Sequence, residues 1–517
     1  MHTMIRCTAL TLLLGGLLAP LACSSSVAPA PSTVEDATIP VAALRADFDQ
    51  LYRQLQAAHY DLYARRTRAE YDALFERMRA ELDVPLRRDQ VLLHFQRFVA
   101  FGRVAHARLD LPFERWASYR EGGGTALPLA LRINGDRAFV LQESGGSAGI
   151  APGDQVLAVD GQPVLEWMQR LGELVSADTD YLLHAQMEGL LPQLGWLTLG
   201  EVDGVELTLA GVDGGTREAW LAARTRAEVT AVEAAAPALA RTDMQARDAR
   251  MLAHGIAYLR PGPFYDNRAD AASPWDRSAY RTFIDQAFAD FLAAGARDLL
   301  LDLRDNPGGD NSFSDLMLAW FADRPFRFSP AFDIRVSDAT VASNQARLDS
   351  QPVDAGSASA DLARLYAGQA PGNHVSYSIP LVPPREGDRF QGRVHVLVNR
   401  HTYSNAVGVA SIVQDYGFGR VLGEETSDLA STLGAMEHFT LLHTGLSVGY
   451  PKARMLRPSG DARPRGVVPD VVLPRPVNDG SEDPVLQRAI EEVVRSRMSE
   501  EAKRRDTALI LGEEQRG

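Results

Sequence analysis

Val394-His395-Val396-Leu397-Val398-Asn399-Arg400-His401-Thr402-Tyr403-Ser404-Asn405-Ala406-Val407-Gly408-Val409-Ala410 passes from a strand to a helix within seven residues. Val394, Val396 and Val398 mark a buried strand. Ala406, Val407, Val409, Ala410, Ile412 and Val413 recur at helical spacing and form one inward face. Arg420-Val421-Leu422-Gly423 then opens a second strand, so the unit reads strand, helix, strand. That alternation is the signature of an α/β domain.

The same pattern extends upstream. Phe283, Ile284, Ala287, Phe288, Phe291 and Leu292 form a helical face ended by Gly295, and Leu299 to Leu303 reads as another buried strand. We assign about 250–475 to this α/β domain, and 476–517 to a C-terminal helix over Val485 to Arg495 with a charged tail.

Residues 119–225 punctuate differently. Leu127, Leu129, Leu131 and Ile133 alternate up to Asn134-Gly135, and Ala138 to Leu141 follows, which predicts a hairpin. Val159-Asp160-Gly161 marks a second turn, a helical stretch spans roughly Val164 to Leu191, and Val205 to Leu209 closes the unit as a strand. Ser144-Gly145-Gly146-Ser147-Ala148-Gly149-Ile150-Ala151-Pro152-Gly153-Asp154 together with that Asp-Gly pair resembles a PDZ domain. The resemblance implies that an extended peptide adds to a sheet edge, often with its terminal carboxylate held by backbone N–H groups. The other reading is a small β domain that only packs. Ahead of it, 41–118 carries Leu51, Leu55 and His59, then Tyr71, Leu74 and Met78, at helical spacing and reads as a small helical domain.

Residues 1–23 read as an export signal, with Arg6 ahead of the apolar run Ala9 to Leu18. Leu21-Ala22-Cys23 before three serines resembles a lipoprotein processing site, which would tie the protein to a membrane through a lipid anchor and face it to the periplasm; secretion with cleavage near Ala22 is the alternative. Residues 24–40 form a Ser-, Ala- and Pro-rich tether. The only cysteines are Cys7 and Cys23, so no disulfide survives cleavage and no cysteine nucleophile is available in the body.

At 517 residues the chain is too long for one core, and domains of roughly 100–200 residues make it about three. A net charge of -14 excludes a nucleic-acid partner, which needs a basic face. Metal-ligand spacings and a phosphate-binding Gly-Lys loop are both missing from the sequence, so neither metal nor cofactor is called for.

Ser404 sits where the strand turns into the helix, a position that exposes a hydroxyl above the sheet beside free helical N–H groups. Taken alone it is equally a helix cap. A second segment, Asp302-Leu303-Arg304-Asp305-Asn306-Pro307-Gly308-Gly309, ends a strand in a Gly-Gly loop. The order of PDZ-like segment, this loop, Ser404, Gly423-Glu424-Glu425-Thr426 and Gly466-Val467-Val468-Pro469-Asp470 resembles the tail-specific, or C-terminal processing, serine peptidase family. The resemblance implies a crotonase-like α/β peptidase core. It also implies Ser404 as nucleophile, oxyanion donors from Gly308 or Gly309 and from Asn405, and protein or peptide substrates taken through their C-termini.

Many members of that family place a lysine base about 25 residues after the serine, where this chain has Leu429. Its two lysines, Lys452 and Lys503, do not fit that spacing. Phe101-Gly102-Arg103-Val104-Ala105-His106 resembles the segment that holds the base in the family's histidine branch, the one like the tricorn protease core, and makes His106 the candidate, with His401 and His438 behind it. Glu424 and Glu425 are candidates for the group that orients the base; Arg463 stands where the family often has a glutamate, with Asp461 nearby. A catalytically inactive lipoprotein that binds peptides or a hydrophobic ligand on the same fold is the alternative function.

Overall fold

The computed structural model describes residues 38–235, 244–271, 273–350, 358–476 and 483–514. The export signal and all but the last three residues of the tether lie outside them.

The strand and helix around Ser404 belong to a six-stranded sheet. Its order is Val471–Val472, Arg420–Gly423, Arg393–Val398, Asp298–Asp302, Ile256–Arg260 and Asp248–Leu252. All neighbours run parallel except the last pair. The central strands are buried on both faces, as a parallel sheet requires. One face carries the Ser278–Ala293, Asn311–Leu318 and Asn405–Tyr416 helices, joined in a core with Phe288, Phe313, Val396 and Val409. The other face is covered by the C-terminal helix Pro484–Glu514 through Val485, Ala489 and Val493. That helix runs well beyond the predicted Arg495.

A second sheet pairs Ser447–Met455 with Thr432–Thr440, Phe332–Arg335 and the short Arg108–Leu109, all antiparallel. The helices Val41–Ala58, Arg68–Ala80 and Arg88–Ala100 pack on this sheet, and Phe48, Phe95 and Phe98 share one core with Val448 and Tyr450. The N-terminal helices are thus fastened to the C-terminal half of the chain. Arg108 aligned with Gly449 brings the loop carrying His106 with it.

The third sheet holds Leu129–Asn134, Arg137–Glu143, Gln155–Val159, Gly204–Ala210 and Thr216–Ala222 in that order. The hairpin predicted at Asn134-Gly135 forms, turning through Gly135 and Asp136 with Gly135 in the left-handed region. The predicted single helix after Val164 is two, Val164–Gly172 and Asp180–Leu199. Thr179 starts the second by accepting the Leu182 N–H at 3.1 Å, and the turn before it buries Asp178. The described residues form a mixed α/β fold of three sheets with helices.

Candidate functional site

The turn between Val398 and the Asn405–Tyr416 helix is sewn to the segment after the Asp298–Asp302 strand. Thr402 Oγ1 donates to the Leu303 carbonyl at 2.8 Å, and the Tyr403 N–H donates to the Asn306 carbonyl at 3.0 Å. The Asn399 side chain accepts the Asp305 N–H at 3.1 Å. These bonds fix the entry into Ser404. Ser404 itself has φ 53° and ψ -123°, a left-handed conformation for a residue with a Cβ. Such backbone costs of order 1–3 kcal/mol and persists only where surroundings impose it. Its side chain makes no capping bond, so the helix-cap reading is not the one the structure adopts.

The Gly-Gly loop lies directly against this turn. Gly308 and Gly309 have φ of 85° and 133°, open to glycine alone without strain. A Cβ on Gly309 would meet the Phe264 carbonyl oxygen at 2.3 Å. The loop is anchored on Phe264, whose N–H donates to the Gly308 carbonyl (2.8 Å) and whose carbonyl accepts the Asp310 N–H (2.9 Å). The Gly308 N–H is spent on Asn306 Oδ1 at 2.9 Å. Among the described residues, the N–H groups of Gly309 and Asn405 donate to nothing. The Asn405 side chain ties the helix start to Ser314 at 3.0 Å.

His106 is buried, and its ring stacks on Tyr403, the residue before Ser404, with centroids 5.6 Å apart and planes 18° apart. Its Nδ1 is buried without a partner. Burial, then the nearby Arg108 guanidinium, pull its pKa down to about 4, so the imidazole is neutral at pH 7. No hydrogen bond joins it to the Ser404 hydroxyl in this conformation.

The two glutamates stand apart from the histidine. Glu424 pairs with Arg132 and lies 3.6 Å from Arg400, while Glu425 Oε1 lies 3.7 Å from Arg465. Neither bonds to His106 or Ser404; arginines on a facing strand and on loops pair with both carboxylates. Asp461 is likewise taken, by Arg463 at 2.6 Å. Of the other bases considered, His401 lies 3.2 Å from the buried Glu188, and the exposed His438 lies 4.0 Å from Asp110. Lys452 is buried in an ion pair with Glu437, which also binds Arg347 at 2.7 Å.

Asp428 is a site residue that spacing did not single out. Its Oδ2 accepts the Ser404 N–H at 2.7 Å, and it is fully buried. Desolvation first, and the neighbouring Asp178 second, push its pKa up to about 7. Asp178, also buried, accepts the N–H of Ala105, beside His106, at 3.1 Å. The only sequence signal is that Asp428 immediately precedes Leu429, which stands where many members of the family that the motif order resembles place a lysine.

Among the described residues no group of His, Cys, Asp and Glu is placed to hold a metal ion. Nor is any helix among them long and apolar enough to cross a membrane.

Residues 257–473 match the family model of peptidase family S41. Mature CPAF shares the fold, with a TM-score of 0.56 at 16% identity over 85% of this chain and 94% of that one. Mature CPAF complexed with lactacystin gives 0.55 at 16% identity over 85% and 95%. No curated protein matches the chain in sequence. The matched stretch spans most of the parallel sheet, the Gly-Gly loop and the Ser404 turn, so this part of the chain is similar to peptidase family S41, the tail-specific family that the motif order resembles.

Proposed function

We propose that this protein is a serine peptidase that cleaves exported proteins or peptides, with Ser404 as nucleophile. One observation carries the proposal: Ser404 stands in a strained left-handed turn at a helix start, beside the unused N–H groups of Gly309 and Asn405. Strain of this kind is kept where it aims a group, and two unused backbone donors next to the serine suit a developing oxyanion.

In this reading Ser404 Oγ attacks the scissile carbonyl carbon and its proton passes to His106. The tetrahedral oxyanion lies against Gly309 and Asn405, with Gly308 excluded as a donor because its N–H already serves Asn306. The leaving amine takes the proton from His106, and water, activated by the same imidazole, releases the acyl group. A neutral His106 is in the state a base needs. Its bond to Ser404 forms on substrate closure, since catalytic hydrogen bonds often tighten only in the complex.

The 129–222 sheet is read as the PDZ-like module that captures an extended or C-terminal segment, and the parallel-sheet region as the crotonase-like core. The leader is read as directing export, with Cys23 as lipid anchor. Turnover of an unfolded or tail-exposed protein tests the proposal: under matched conditions S404A should abolish degradation and H106A should slow it by about 10²–10⁴-fold. Equal degradation by S404A and the unmodified protein would refute it. Saturable peptide binding with no turnover by the unmodified protein would identify a binder instead.

A further inference from the structure

Among the described residues, one side chain holds the strained backbone of Ser404 through its N–H. The N–H of a residue at φ 53°, ψ -123° cannot join the helical ladder that starts at Asn405. Its one acceptor is Asp428 Oδ2 at 2.7 Å. Asp428 Oδ1 accepts the Leu429 N–H at 2.9 Å.

The loop that presents Asp428 is fastened on both sides. Thr426 accepts the Val467 N–H through Oγ1 at 2.9 Å and donates its own N–H to the Val467 carbonyl at 3.2 Å. Ala430 N–H donates to the Arg465 carbonyl at 3.0 Å. Ser427 Oγ donates to the Arg400 carbonyl at 2.5 Å, so adjacent residues of one loop grip the nucleophile turn at Arg400 and at Ser404. A carboxyl buried without a salt-bridge partner is unfavourable for a fold. Asp428 forms none among the described residues, and its use lies in what it holds.

The geometry points to Asp428 as the positioning residue of the nucleophile: its carboxyl group fixes the left-handed turn that aims the Ser404 hydroxyl away from the helix cap. This rests on the reading of Ser404 as nucleophile. Asp428 does not touch substrate in this role; it acts through the Ser404 backbone. The groups facing it are Asp178, Arg108, Tyr403 and Leu429. Asp178 in turn faces Arg65 and Arg103.

Asn is the conservative replacement, since its Oδ1 can accept the same N–H without charge. Three measurements on the full chain decide the matter. Crystal structures of D428N and D428A should show Ser404 keeping its positive φ in D428N and relaxing to a negative φ in D428A. Labelling of Ser404 by a fluorophosphonate should fall about 10²-fold in D428A and stay within tenfold in D428N, the scale on which a misplaced reacting group loses rate. The pH dependence of labelling near 7 should flatten in D428N, because the titrating neighbour is gone.

If D428A does not fold, hydrogen exchange at the Ser404 amide of the unmodified protein takes its place: a core-protected amide supports the assignment and a fast-exchanging one overturns it. An unchanged φ and labelling rate in D428A also overturns it. Failure of the peptidase reading is seen separately, as absence of Ser404 labelling in the unmodified protein, while the φ of Ser404 in D428A still decides the role of Asp428.

Discussion

A methyl group on Gly308 would stand 2.8 Å from the Cβ of Ser404, so the Gly-Gly loop and the serine turn are in van der Waals contact through a glycine. The same methyl would lie 2.7 Å from the Tyr403 carbonyl oxygen and 2.8 Å from the Asn405 nitrogen. Gly308 is therefore required for shape, although its N–H is not free.

G308A should cost activity at least about 10²-fold, because the nucleophile and an oxyanion donor shift together. It should also lower the melting temperature, since a Cβ in the left-handed region alone costs roughly 1–2 kcal/mol. Peptidase assay beside thermal denaturation checks both. A G308A protein with unmodified turnover would contradict the contact.

H106A and K452M separate a histidine base from a lysine base. Loss of a general base typically costs 10²–10⁴-fold, so H106A should fall in that range. K452M should leave turnover within about threefold, because Lys452 is buried against Glu437. It should destabilise instead, by less than the roughly 3–5 kcal/mol of a fully stranded buried charge, because Arg347 still pairs with Glu437. Steady-state kinetics and urea denaturation of both variants distinguish them.

How much of this was legible in the sequence depends on the range of the contacts. The strand, turn and helix around Ser404 and the Asn134-Gly135 hairpin are local patterns, and both stand in the structure where periodicity predicts them. The break between Gly172 and Asp180 was missed because apolar residues continue across it while Thr179 restarts the helix. Asp428 and Asp178 could not be found by spacing, since their partners lie 24 and 73 residues away. Glu424 and Glu425 were selected from a motif, but Arg132, Arg400 and Arg465 arrive only through tertiary folding. The antiparallel sheet around Ser447–Met455 assembles strands from across the chain, so no single window reveals it.

Stability should respond to pH with opposite sign through two buried histidines and the half-buried Asp315. His59 and His106 are held down to about 3 and about 4, chiefly by desolvation, and are neutral in the fold. The unfolded chain takes up those protons below about 6.5, so their contribution is complete above that value and is lost as pH falls toward 4 and then 3. Burial pushes Asp315 up to about 7, which reverses the sign: its contribution is present below about 3.9 and lost as pH rises through 7. D315N should raise the melting temperature at pH 8 and have little effect at pH 4. Equal shifts at both pH values would contradict the assignment.

Arg400 clamps the 129–222 sheet to the nucleophile turn. Its Nη1 donates to the Ile133 carbonyl at 2.9 Å and to Glu188 Oε1 at 2.8 Å, and Glu188 also accepts the Ile133 N–H at 2.6 Å. R400M leaves Glu188 with only His401 and the Ile133 N–H and should destabilise by up to roughly 3–5 kcal/mol, the cost of a fully broken buried pair. The double variant R400M/E188M should recover most of that loss. Urea denaturation of the three proteins checks the order.

The central claim is that Ser404 is an activated nucleophile, and covalent labelling tests it most directly. A fluorophosphonate probe incubated with the native protein, followed by peptide mapping, should place one adduct on Ser404, with none in S404A or in heat-denatured protein. A native protein that leaves Ser404 unmodified while another serine reacts, or while no serine reacts at all, would contradict the account.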